Sequence, residues 1–400
     1  MSAAAPLVFI LAGEESGDLL GANLMRELND RLGGRVRFQG VGGSRMAALG
    51  LNSMFPMEEV VLHGFTEAAI HAPRLLRRIR ETATAVVAAK PDVLVLVDCP
   101  GFNLRVGRIV GARDPAIPIV DYVSPSVWAY FPGRARKMAR YVDQLLAILP
   151  FEPEVHRRLG GPPTTYVGHP LVERLARLRP LEGERAPLGA GRKPVLVVLP
   201  GSRKSEIGRL MERFGAAINL VVQRQGPVEL ILPAVPRHAA EIRERAASWP
   251  VPPTIVEGEV ATYAAFRRAH AALAASGTVT LELALSGVPM VVGYRVDIFL
   301  RTFKSFLQAD SIVLPNLILG DNAIPEFLDG DTDPAILAAA LEPLLSDTPQ
   351  RRAQVVAFDR LEALMTLDSG TPSSRAADIV LAAMKAAEPV PAQRRLETGS

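Results

Sequence analysis

The stretch Val93–Val97 reads VLVLV and is followed at once by Asp98–Asn103, DCPGFN. A short run that is apolar at every position is typical of a central parallel strand, because helices cover both faces of such a sheet. The proline and glycine directly after it predict a turn into a helix. This stretch therefore favours an α/β fold built on a parallel sheet.

Ten further runs repeat the pattern of a short β-rich stretch, a glycine-containing turn and a helix. They are Leu7–Leu11, Val36–Gln39, Ile117–Val120, Gln144–Ile148 and Thr164–Val167 in the first half, and Val195–Leu199, Glu229–Leu232, Thr254–Val256, Ala271–Ala274 and Pro289–Val292 in the second. A length of 400 residues also favours two domains over one. We therefore predict two doubly wound α/β domains that place their strand ends around a shared cleft.

The domain boundaries follow from the restart of this pattern. We expect a first domain over residues 1–168, a proline-rich and charged linker over 169–194, and a second domain over 195–367. A C-terminal helix over 368–388 and a disordered tail over 389–400 complete the prediction.

The composition excludes several classes of protein. Hydrophobic residues make up 48% of the chain and charged residues 22%, as in folded proteins, and the single cysteine, Cys99, cannot form an internal disulfide. No uncharged apolar run reaches the ~18 residues of a membrane span. The apolar stretch Ala3–Gly13 has no preceding Lys or Arg and is followed by acidic residues, unlike a secretory signal. These features predict a cytoplasmic protein.

The net charge of +3 is too small to indicate nucleic-acid binding. The basic residues are nevertheless clustered, and the clusters are either solvated helix faces or contacts for an anionic partner such as a phosphate or a lipid surface. The clusters are Arg74, Arg77, Arg78 and Arg80, and Arg134, Arg136, Lys137 and Arg140.

Three segments after strands of the first half contain candidate functional residues. Residues 12–18, AGEESGD, precede a helix expected from about Leu19; either Ser16 or Asp18 caps that helix, or the loop contacts a neutral sugar. Asp98 is a partly desolvated carboxylate, which favours a proton acceptor over a cap for a helix starting near Phe102. The aromatic residues of 122–130 contact a sugar or an acyl chain, or belong to the core.

Two loops of the second half each lie between a strand and a helix. In Leu199–Glu206, the glycine lets backbone N–H groups approach a phosphate while Arg203 donates to its oxygens. In Ala275–Glu282, the amides near Gly277 and Thr278 face a diphosphate and Glu282 accepts from ribose hydroxyls. Together the two loops favour a nucleotide-diphosphate site.

Other candidates have structural alternatives. The acidic triplet Asp329–Asp331 resembles a metal-binding motif, but Asp333 and Pro334 start a helix, and we favour the capping interpretation. The histidines lack ligand spacing, so we predict no metal; His169 either touches substrate or packs at a hinge. An amphipathic helix that is core-facing or membrane-facing is expected from the bulky residues Phe299, Leu300, Phe303, Phe306 and Leu307, interspersed with Arg295, Arg301 and Lys304.

From about residue 8 to 367, the chain resembles the lipid-A-disaccharide synthase family of glycosyltransferases, which have two Rossmann domains (GT-B, family 19). The resemblance rests on AGEESGDLLGA (12–22), DCPGFN (98–103), DYVSPSVWAY (121–130), PFEPE (150–154), VGHPL (167–171), LPGSRKSEI (199–207), ASGTVTLELAL (275–285), LPN (314–316) and IPEFL (324–328). The least typical stretch is 297–313.

The resemblance implies transfer of 2,3-diacylglucosamine from UDP to 2,3-diacylglucosamine 1-phosphate, giving a β-1,6-linked disaccharide phosphate and UDP. Both substrates carry acyl chains, which implies peripheral work at the cytoplasmic face of the inner membrane. The alternatives are another UDP-sugar enzyme of the same architecture, such as a UDP-N-acetylglucosamine 2-epimerase, or a non-catalytic two-domain binding protein.

The resemblance and the motifs together assign each candidate a role, with no metal or cofactor required. Asp98 is the catalytic base. The acceptor sugar is bound by Glu14, Ser16, Asn103, Ser126 and Trp128; UDP by Gly201, Ser202, Arg203, Glu206, Ser276, Gly277, Thr278 and Glu282; and the cleft is lined by His169, Asn316 and Glu326.

Overall fold

The computed structural model describes residues 5–60, 65–189, 191–295 and 311–386, with backbone alone for 65–71 and 386. The chain divides into two compact units. The first contains Met1–Pro170 and Leu367–Ser400, and the second contains Leu171–Thr366. The second unit is thus inserted between two segments of the first.

The first unit is built on a six-stranded parallel sheet in the order β2-β1-β3-β4-β5-β6. Its strands are β1 Leu7–Ala12, β2 Arg37–Val41, β3 Val93–Val97, β4 Ile119–Tyr122, β5 Gln144–Ala147 and β6 Thr164–Tyr166. Its helices are α1 Glu15–Arg31, α2 Ser44–Ala47, α3 Phe65–Ala89, α4 Pro100–Arg113, α5 Gly133–Met138 and α6 Glu152–Leu159.

The second unit has a six-stranded parallel sheet in the order β12-β11-β10-β7-β8-β9. Its strands are β7 Val195–Leu199, β8 Glu229–Ala234, β9 Thr254–Glu257, β10 Ala271–Ala274, β11 Met290–Tyr294 and β12 Glu326–Leu328. Its helices are α7 Leu175–Leu178, α8 Lys204–Gln225, α9 Ala239–Ala246, α10 Glu259–Arg268, α11 Val279–Leu285, α12 Leu314–Leu319, α13 Pro334–Leu341 and α14 Pro349–Met365, and α15 Pro372–Ala386 follows in the first unit.

Strand β3 confirms the prediction of a central strand covered on both faces. All five of its side chains are fully buried, and they alternate between two apolar clusters. Val93, Val95 and Val97 face the cluster that contains α1 and α15, whereas Leu94 and Leu96 face α3 and α4. The prediction of two doubly wound α/β domains is therefore confirmed, and the eleven predicted strands occur with shifts of a few residues at their ends.

The strand Glu326–Leu328 is absent from the prediction. It has three half-buried residues at the edge of the second sheet, where it pairs with β11. So short a segment carries no periodic signal of its own.

Each sheet has one point at which the order of its strands reverses. In the first sheet this topological switch point lies between β1 and β3, and in the second it lies between β7 and β10. Crossover connections leave these neighbouring strands on opposite faces of the sheet, which opens a crevice at their carboxyl ends. The loops at 13–16 and 98–103, and those at 200–206 and 275–278, follow these four strands directly.

Helix α15 completes the core of the first unit. Its residues Ala376, Ala377 and Val380 are buried in the cluster formed with α1 and β3. Arg31 of α1 donates to the carbonyl oxygen and hydroxyl of Ser374, 343 residues further along the chain. The helix expected over 368–388 is thus present as Pro372–Ala386 and packs beside the first helix of the chain.

The segment after Leu171, expected as a linker, packs against the second sheet's helices. The Arg185 guanidinium donates to the carbonyl oxygens of Phe266, Arg267, Ser286 and Gly287 at 2.7–3.2 Å. Since one side chain satisfies four acceptors that end two helices, it joins this segment to the unit.

We expect Arg185→Met to destabilise the second unit by about 2–3 kcal/mol, because it leaves four half-buried carbonyl groups without their donor. The chain has two tryptophans, Trp128 in the first unit and Trp249 in the second. Urea unfolding followed by Trp249 fluorescence in a Trp128→Phe background measures the effect. Arg268→Met, which removes an exposed ion pair with Glu229, is the matched control and should cost less than about 1 kcal/mol. Equal losses in the two variants would contradict the role of Arg185.

Candidate functional site

The side chain of Asn103 joins the two strands at the switch point of the first sheet. Its Nδ2 donates to the carbonyl oxygens of Leu11 in β1, Val97 in β3 and Asp98, at 3.2, 3.0 and 2.7 Å. Asn103 is fully buried. Its donor group thus holds the strand ends, while its Oδ1 has no hydrogen-bond partner within the described residues, and the expectation that Asn103 binds sugar hydroxyls stays a prediction.

Asp98 follows β3 in a left-handed backbone conformation, with φ of 53°, and Cys99 continues it with φ of 49°. Such conformations are uncommon outside glycine and cluster at functional sites. The Asp98 Oδ2 accepts from the Ser16 hydroxyl at 3.0 Å, and Oδ1 accepts from the Cys99 amide at 2.8 Å. The half-buried carboxylate is thus aimed by its backbone and by a residue from the neighbouring strand's loop.

Asp98 does not cap the following helix. Helix α4 starts at Pro100, with Cys99 at the N-cap position and no side chain bonded to its first turn. The alternative of helix capping is therefore wrong, because Asp98 precedes the N-cap position and its carboxylate accepts from the Ser16 hydroxyl and the Cys99 amide instead.

The loop after β1 differs from the prediction in where its helix begins. Helix α1 starts at Glu15 rather than near Leu19, and neither Ser16 nor Asp18 caps it. Asp18 is buried and accepts from the backbone amides of Gly43, Arg45 and Met46, so it holds the start of α2. Glu14 occupies the exposed N-cap position of α1, and Ser16 lies beside it in the first turn.

Gly13 allows the β1 loop to approach Cys99 closely. A Cβ atom at Gly13 would lie 2.4 Å from the Cys99 Sγ, so a larger residue would displace the loop that carries Asp98. Burial, together with the nearby charges of Glu14 and Asp98, raises the pKa of the Cys99 thiol to about 12. Cys99 is therefore a packed thiol and not a nucleophile.

Strand β4 contributes a second strained turn at the same sheet edge. Val123 follows it with φ of 85°, which is a rare value for a β-branched residue. The buried Asp121 of β4 has an Oδ2 with no hydrogen bond within the described residues. Burial first, and the charge of Asp98 second, raise the pKa of Asp121 well above its usual value. Burial therefore disfavours the ionised form of the Asp121 carboxyl.

The aromatic residues of 122–130 divide between core and surface. Tyr122 is buried in the sheet, whereas Tyr130 is 44% exposed. Trp128 is half-buried; its Nε1 donates to Glu152 Oε1 at 3.3 Å and its ring meets Phe151 edge-on, with centroids 5.6 Å apart. Ser126 is exposed in the same turn. The core interpretation thus holds for Tyr122. Trp128 is held in place by Glu152 and Phe151, whereas Ser126 and Tyr130 of the same turn are exposed.

A buried polar cluster lies beneath this turn. Glu152 accepts from the Leu149 amide at 3.1 Å as well as from Trp128, and His156 Nε2 lies 2.8 Å from the Ser124 hydroxyl. Burial raises the pKa of Glu152 to about 7 and lowers that of His156 to about 4. Glu152 and His156 were missed by sequence reasoning, although the PFEPE motif contains Glu152 and could have singled it out.

We expect Glu152→Gln to change how the stability of the first unit depends on pH. Between pH 4.5 and 7 the folded chain keeps a proton on Glu152 that the unfolded chain has lost, so wild-type stability falls as pH rises across this window. The variant lacks this loss, and its stability relative to wild type should rise by about 2–3 kcal/mol across the window and then level off. Urea unfolding followed by Trp128 fluorescence in a Trp249→Phe background measures it.

The exposed Glu154, two residues away, provides the matched control for this prediction. Glu154→Gln should leave the pH dependence nearly unchanged. The His156 contribution is common to wild type and Glu152→Gln and cancels in their difference. A difference between these two proteins that is independent of pH would contradict the raised pKa.

At the switch point of the second sheet, Glu206 uses the amides that we expected to bind phosphate. Its Oε2 accepts from the backbone N–H groups of Ser202 and Arg203 at 3.0 and 3.2 Å. Gly201, with φ of 106°, leaves room for this carboxylate, because a Cβ there would lie 2.5 Å from Oε2. Glu206 and the amides of Ser202 and Arg203 thus cap the start of α8, and their assignment, with Gly201, as UDP contacts stays a prediction.

The Arg203 side chain remains available in this loop. It is 73% exposed, and its only ion pair within the described residues is a 3.4 Å contact with Glu206 Oε1. The guanidinium therefore lies at the carboxyl end of β7 with most of its donors in solvent.

The loop after β10 presents free donors at the same edge. Gly277 and Thr278 are exposed, and within the described residues their amides have no hydrogen-bond acceptor. The Ser276 hydroxyl, in contrast, donates to the Ile312 carbonyl oxygen at 2.6 Å and anchors the loop. Glu282 follows in the first turn of α11, and its Oε1 accepts from the Tyr263 hydroxyl at 3.2 Å. Burial raises the pKa of Glu282.

Three expected cleft residues have structural partners. Asn316 is buried and both ends of its amide bond the backbone of Ile324 at 2.9 Å. Glu326 accepts from the Ser311 hydroxyl and the Ile312 amide. His169 is 6% exposed and burial lowers its pKa to about 4, which agrees with the packed alternative. The polar side-chain atoms of Asn316 are therefore bonded within the fold, and its place in the cleft lining stays a prediction.

The acidic triplet precedes the expected helix start. Asp333 Oδ1 accepts from the Ala335 amide at 2.8 Å, so the predicted N-cap is confirmed. Among the residues that the structure describes, no group of three or more His, Cys, Asp or Glu side chains is arranged to hold a metal ion.

The two basic clusters differ in their partners. Arg78 bonds Glu59 and Glu81 and lies over the Phe55 ring, so part of the first cluster is structural. Within the described residues, no ion pair involves the second cluster, of which Arg136, Lys137 and Arg140 are exposed. No helix in the described ranges has the length and apolarity to cross a membrane. The expected amphipathic residues Phe299–Leu307 and the tail 389–400 lie outside the described residues.

Comparison with known proteins identifies the family. The family model described as lipid-A-disaccharide synthetase matches residues 8–380. The lipid-A-disaccharide synthase of Bradyrhizobium diazoefficiens is 54% identical, covering 94% of this chain and 96% of that protein, and the one from Nitrobacter hamburgensis is 52% identical, covering 95% and 96%.

Solved structures agree on the fold. MurG from Acinetobacter baumannii has a TM-score of 0.59 at 14% identity, covering 94% of this chain and 99% of that one. Such a likeness shows the fold alone, which is the predicted two-domain Rossmann-like GT-B fold. Neither finding favours the epimerase alternative. On sequence, by contrast, the match extends over nearly the whole chain, and the chain belongs to the lipid-A-disaccharide synthase family of glycosyltransferases.

Proposed function

We propose that the chain transfers 2,3-diacylglucosamine from its UDP derivative to the 6-hydroxyl of 2,3-diacylglucosamine 1-phosphate, with inversion at the anomeric carbon. The observation that carries this proposal is the Asp98 carboxylate, held at the first switch point in a strained conformation by Ser16. A carboxylate has about four acceptor positions, and the two hydrogen bonds it receives leave others for an incoming hydroxyl. Asp98 can therefore act as a general base.

The second unit supplies the contacts for the leaving UDP. The exposed Arg203 guanidinium lies at the second switch point, where α/β folds bind nucleotides, together with the amides of Gly277 and Thr278, which have no acceptor among the residues described. These donors would stabilise the negative charge that develops on the diphosphate as the glycosidic oxygen bond breaks. Glu282 would accept from the ribose hydroxyls through its second oxygen.

In the proposed reaction each group has one task. Asp98 takes the proton of the acceptor hydroxyl as its oxygen bonds the anomeric carbon, and the electron pair of the breaking bond leaves on UDP. Glu14, Ser16 and Ser126, which are exposed around the first sheet's edge, would orient the acceptor sugar, and Trp128 would border it. Asn103 acts through Asp98 and is a positioning residue.

We expect Asp98→Asn and Arg203→Ala to fail in opposite ways. Asparagine tolerates the left-handed conformation but is not a base, so UDP release should fall about 10²–10⁴-fold with UDP affinity unchanged. Arg203→Ala removes a phosphate donor and leaves the Glu206 cap intact, so UDP affinity should fall about tenfold, or about 1.4 kcal/mol. UDP release on mixing both diacylated substrates, product mass and calorimetric UDP binding are the measurements.

The same measurements distinguish the proposed activity from the alternative functions. Release of UDP from soluble UDP-N-acetylglucosamine, without the diacylated form, would favour another UDP-sugar enzyme. UDP binding with no product of the disaccharide mass would indicate a binding protein. Turnover that survives Asp98→Asn would remove Asp98 as the base.

We also propose that the protein acts in the cytoplasm, peripherally on the inner membrane, as its acylated substrates require. The turn before α5 supports this location. Phe131 is 54% exposed with φ of 55°, Tyr130 lies beside it, and the Arg134 guanidinium lies 5.7 Å from the Phe131 ring centroid. Aromatic rings next to unpaired cations are suited to an anionic lipid surface.

We expect Arg136→Glu/Lys137→Glu to reduce binding to vesicles that contain phosphatidylglycerol, because it reverses two exposed charges on α5 at ~1 kcal/mol each. Co-sedimentation at low salt, with phosphatidylcholine vesicles for comparison, measures the fraction bound. The matched control is Arg192→Glu/Lys193→Glu, an equal reversal at exposed positions of the second unit. Equal losses in both variants would point to net charge and contradict a defined surface.

A further inference from the structure

A chain of three side chains leads to Glu282 in the second unit. Arg174 Nη1 donates to the Tyr263 hydroxyl at 3.3 Å, and that hydroxyl donates to Glu282 Oε1 at 3.2 Å. Since a phenol has one hydrogen, accepting from Arg174 leaves that hydrogen for Glu282. The direction of both bonds is therefore fixed.

Tyr263 is well held for this task. It is 2% exposed, on α10, and the Arg177 guanidinium lies 5.4 Å from its ring centroid. Arg174 is held in turn by an ion pair, in which its Nη1 lies 2.8 Å from Oε2 of Glu259, a residue of α10 like Tyr263. The hydroxyl of Tyr263 thus has little freedom to seek another acceptor.

Glu282 has one oxygen committed and one available. Within the described residues, Oε2 of Glu282 makes no hydrogen bond, while Oε1 is bonded to Tyr263. A carboxylate that is fixed at one oxygen has little side-chain rotation left, so it loses less conformational entropy when it binds a diol. The hydrogen bond at Oε1 thereby fixes the orientation of Oε2.

Arg174 lies where the chain passes between the units. It is three residues after Leu171, the first residue of the second unit, in the turn Pro170–Arg174. A contact made by Glu282 is therefore connected, through two hydrogen bonds, to the point of entry into this unit.

We propose that Tyr263 and Arg174 are positioning residues that set the selectivity of Glu282 for the ribose diol and couple ribose binding to the turn Pro170–Arg174. This inference rests on the proposed role of Glu282 in holding the ribose. It adds two residues that do not touch the nucleotide, and it predicts that their removal lowers discrimination between ribose and deoxyribose.

The test is calorimetric binding of UDP and 2′-deoxy-UDP to the full chain. Wild type should prefer UDP about tenfold, as one charge-assisted hydrogen bond provides. Tyr263→Phe should weaken UDP binding about five- to tenfold and bring the ratio of the two affinities towards one. Glu282→Gln should also weaken UDP binding and bring the ratio towards one. The double variant Tyr263→Phe/Glu282→Gln should bind UDP no more weakly than Glu282→Gln alone.

Two further variants keep the test independent of folding defects. Arg174→Met should lower the ratio in the same direction, whereas Arg174→Lys retains a donor and should restore most of it. Tyr141→Phe, at a half-buried tyrosine of the first unit, is the matched control and should bind like wild type. Hydrogen exchange in 170–178 should slow on UDP binding in wild type and in Tyr141→Phe, but not in Tyr263→Phe.

The outcomes distinguish the ribose-binding role of Glu282 from the positioning role of Tyr263 and Arg174. Unchanged UDP binding and unchanged selectivity in Glu282→Gln would overturn the ribose role of Glu282 and this inference with it. Loss of selectivity in Glu282→Gln with wild-type selectivity in Tyr263→Phe and Arg174→Met would overturn this inference alone. Weaker binding of both nucleotides with an unchanged ratio would reduce Tyr263 to a structural role and overturn its part in selectivity.

Discussion

The buried amide of Asn103 is the contact on which the first unit's site depends. Parallel strands end with carbonyl groups that no further strand residue can bond, and at a switch point two such ends lie side by side. Asn103 donates to both, and its third bond accompanies the left-handed turn at Asp98, whose carbonyl oxygen accepts from it. A strained carboxylate can persist there because the surrounding hydrogen bonds determine it.

In the second unit a carboxylate lies at the corresponding place, and it bonds amides before a helix rather than carbonyl groups at strand ends. Glu206 accepts from the amides of Ser202 and Arg203, directly before α8, and within the described residues the unbonded backbone donors are in the next loop, at Gly277 and Thr278. The two loops of this unit therefore divide the work. One is internally satisfied and displays a guanidinium, and the other displays backbone N–H groups.

The sequence predicted the architecture well, because periodic apolar runs report burial directly. Val93–Val97 indicated its own environment, and Asp333 with Pro334 indicated a helix start. The site residues were harder to assign, because the same type of polar residue in a loop motif can bond either a ligand or the protein backbone. Asn103 and Glu206 were assigned to ligands and Asn316 to the cleft lining, and the structure shows that all three bond the backbone. Glu152 and Tyr263 depend on contacts between distant segments, which no spacing rule reveals.

The return of α15 to the first unit has a consequence for biosynthesis on the ribosome. The second unit is one continuous segment and can complete its core as soon as Thr366 has left the exit tunnel. The first unit, although it emerges earlier, lacks Ala376, Ala377 and Val380 until the whole second unit has been translated, so apolar surface on α1 and β3 stays open meanwhile. The first unit of the nascent chain is therefore the part that needs chaperone protection, and the arrival of α15 ends that need.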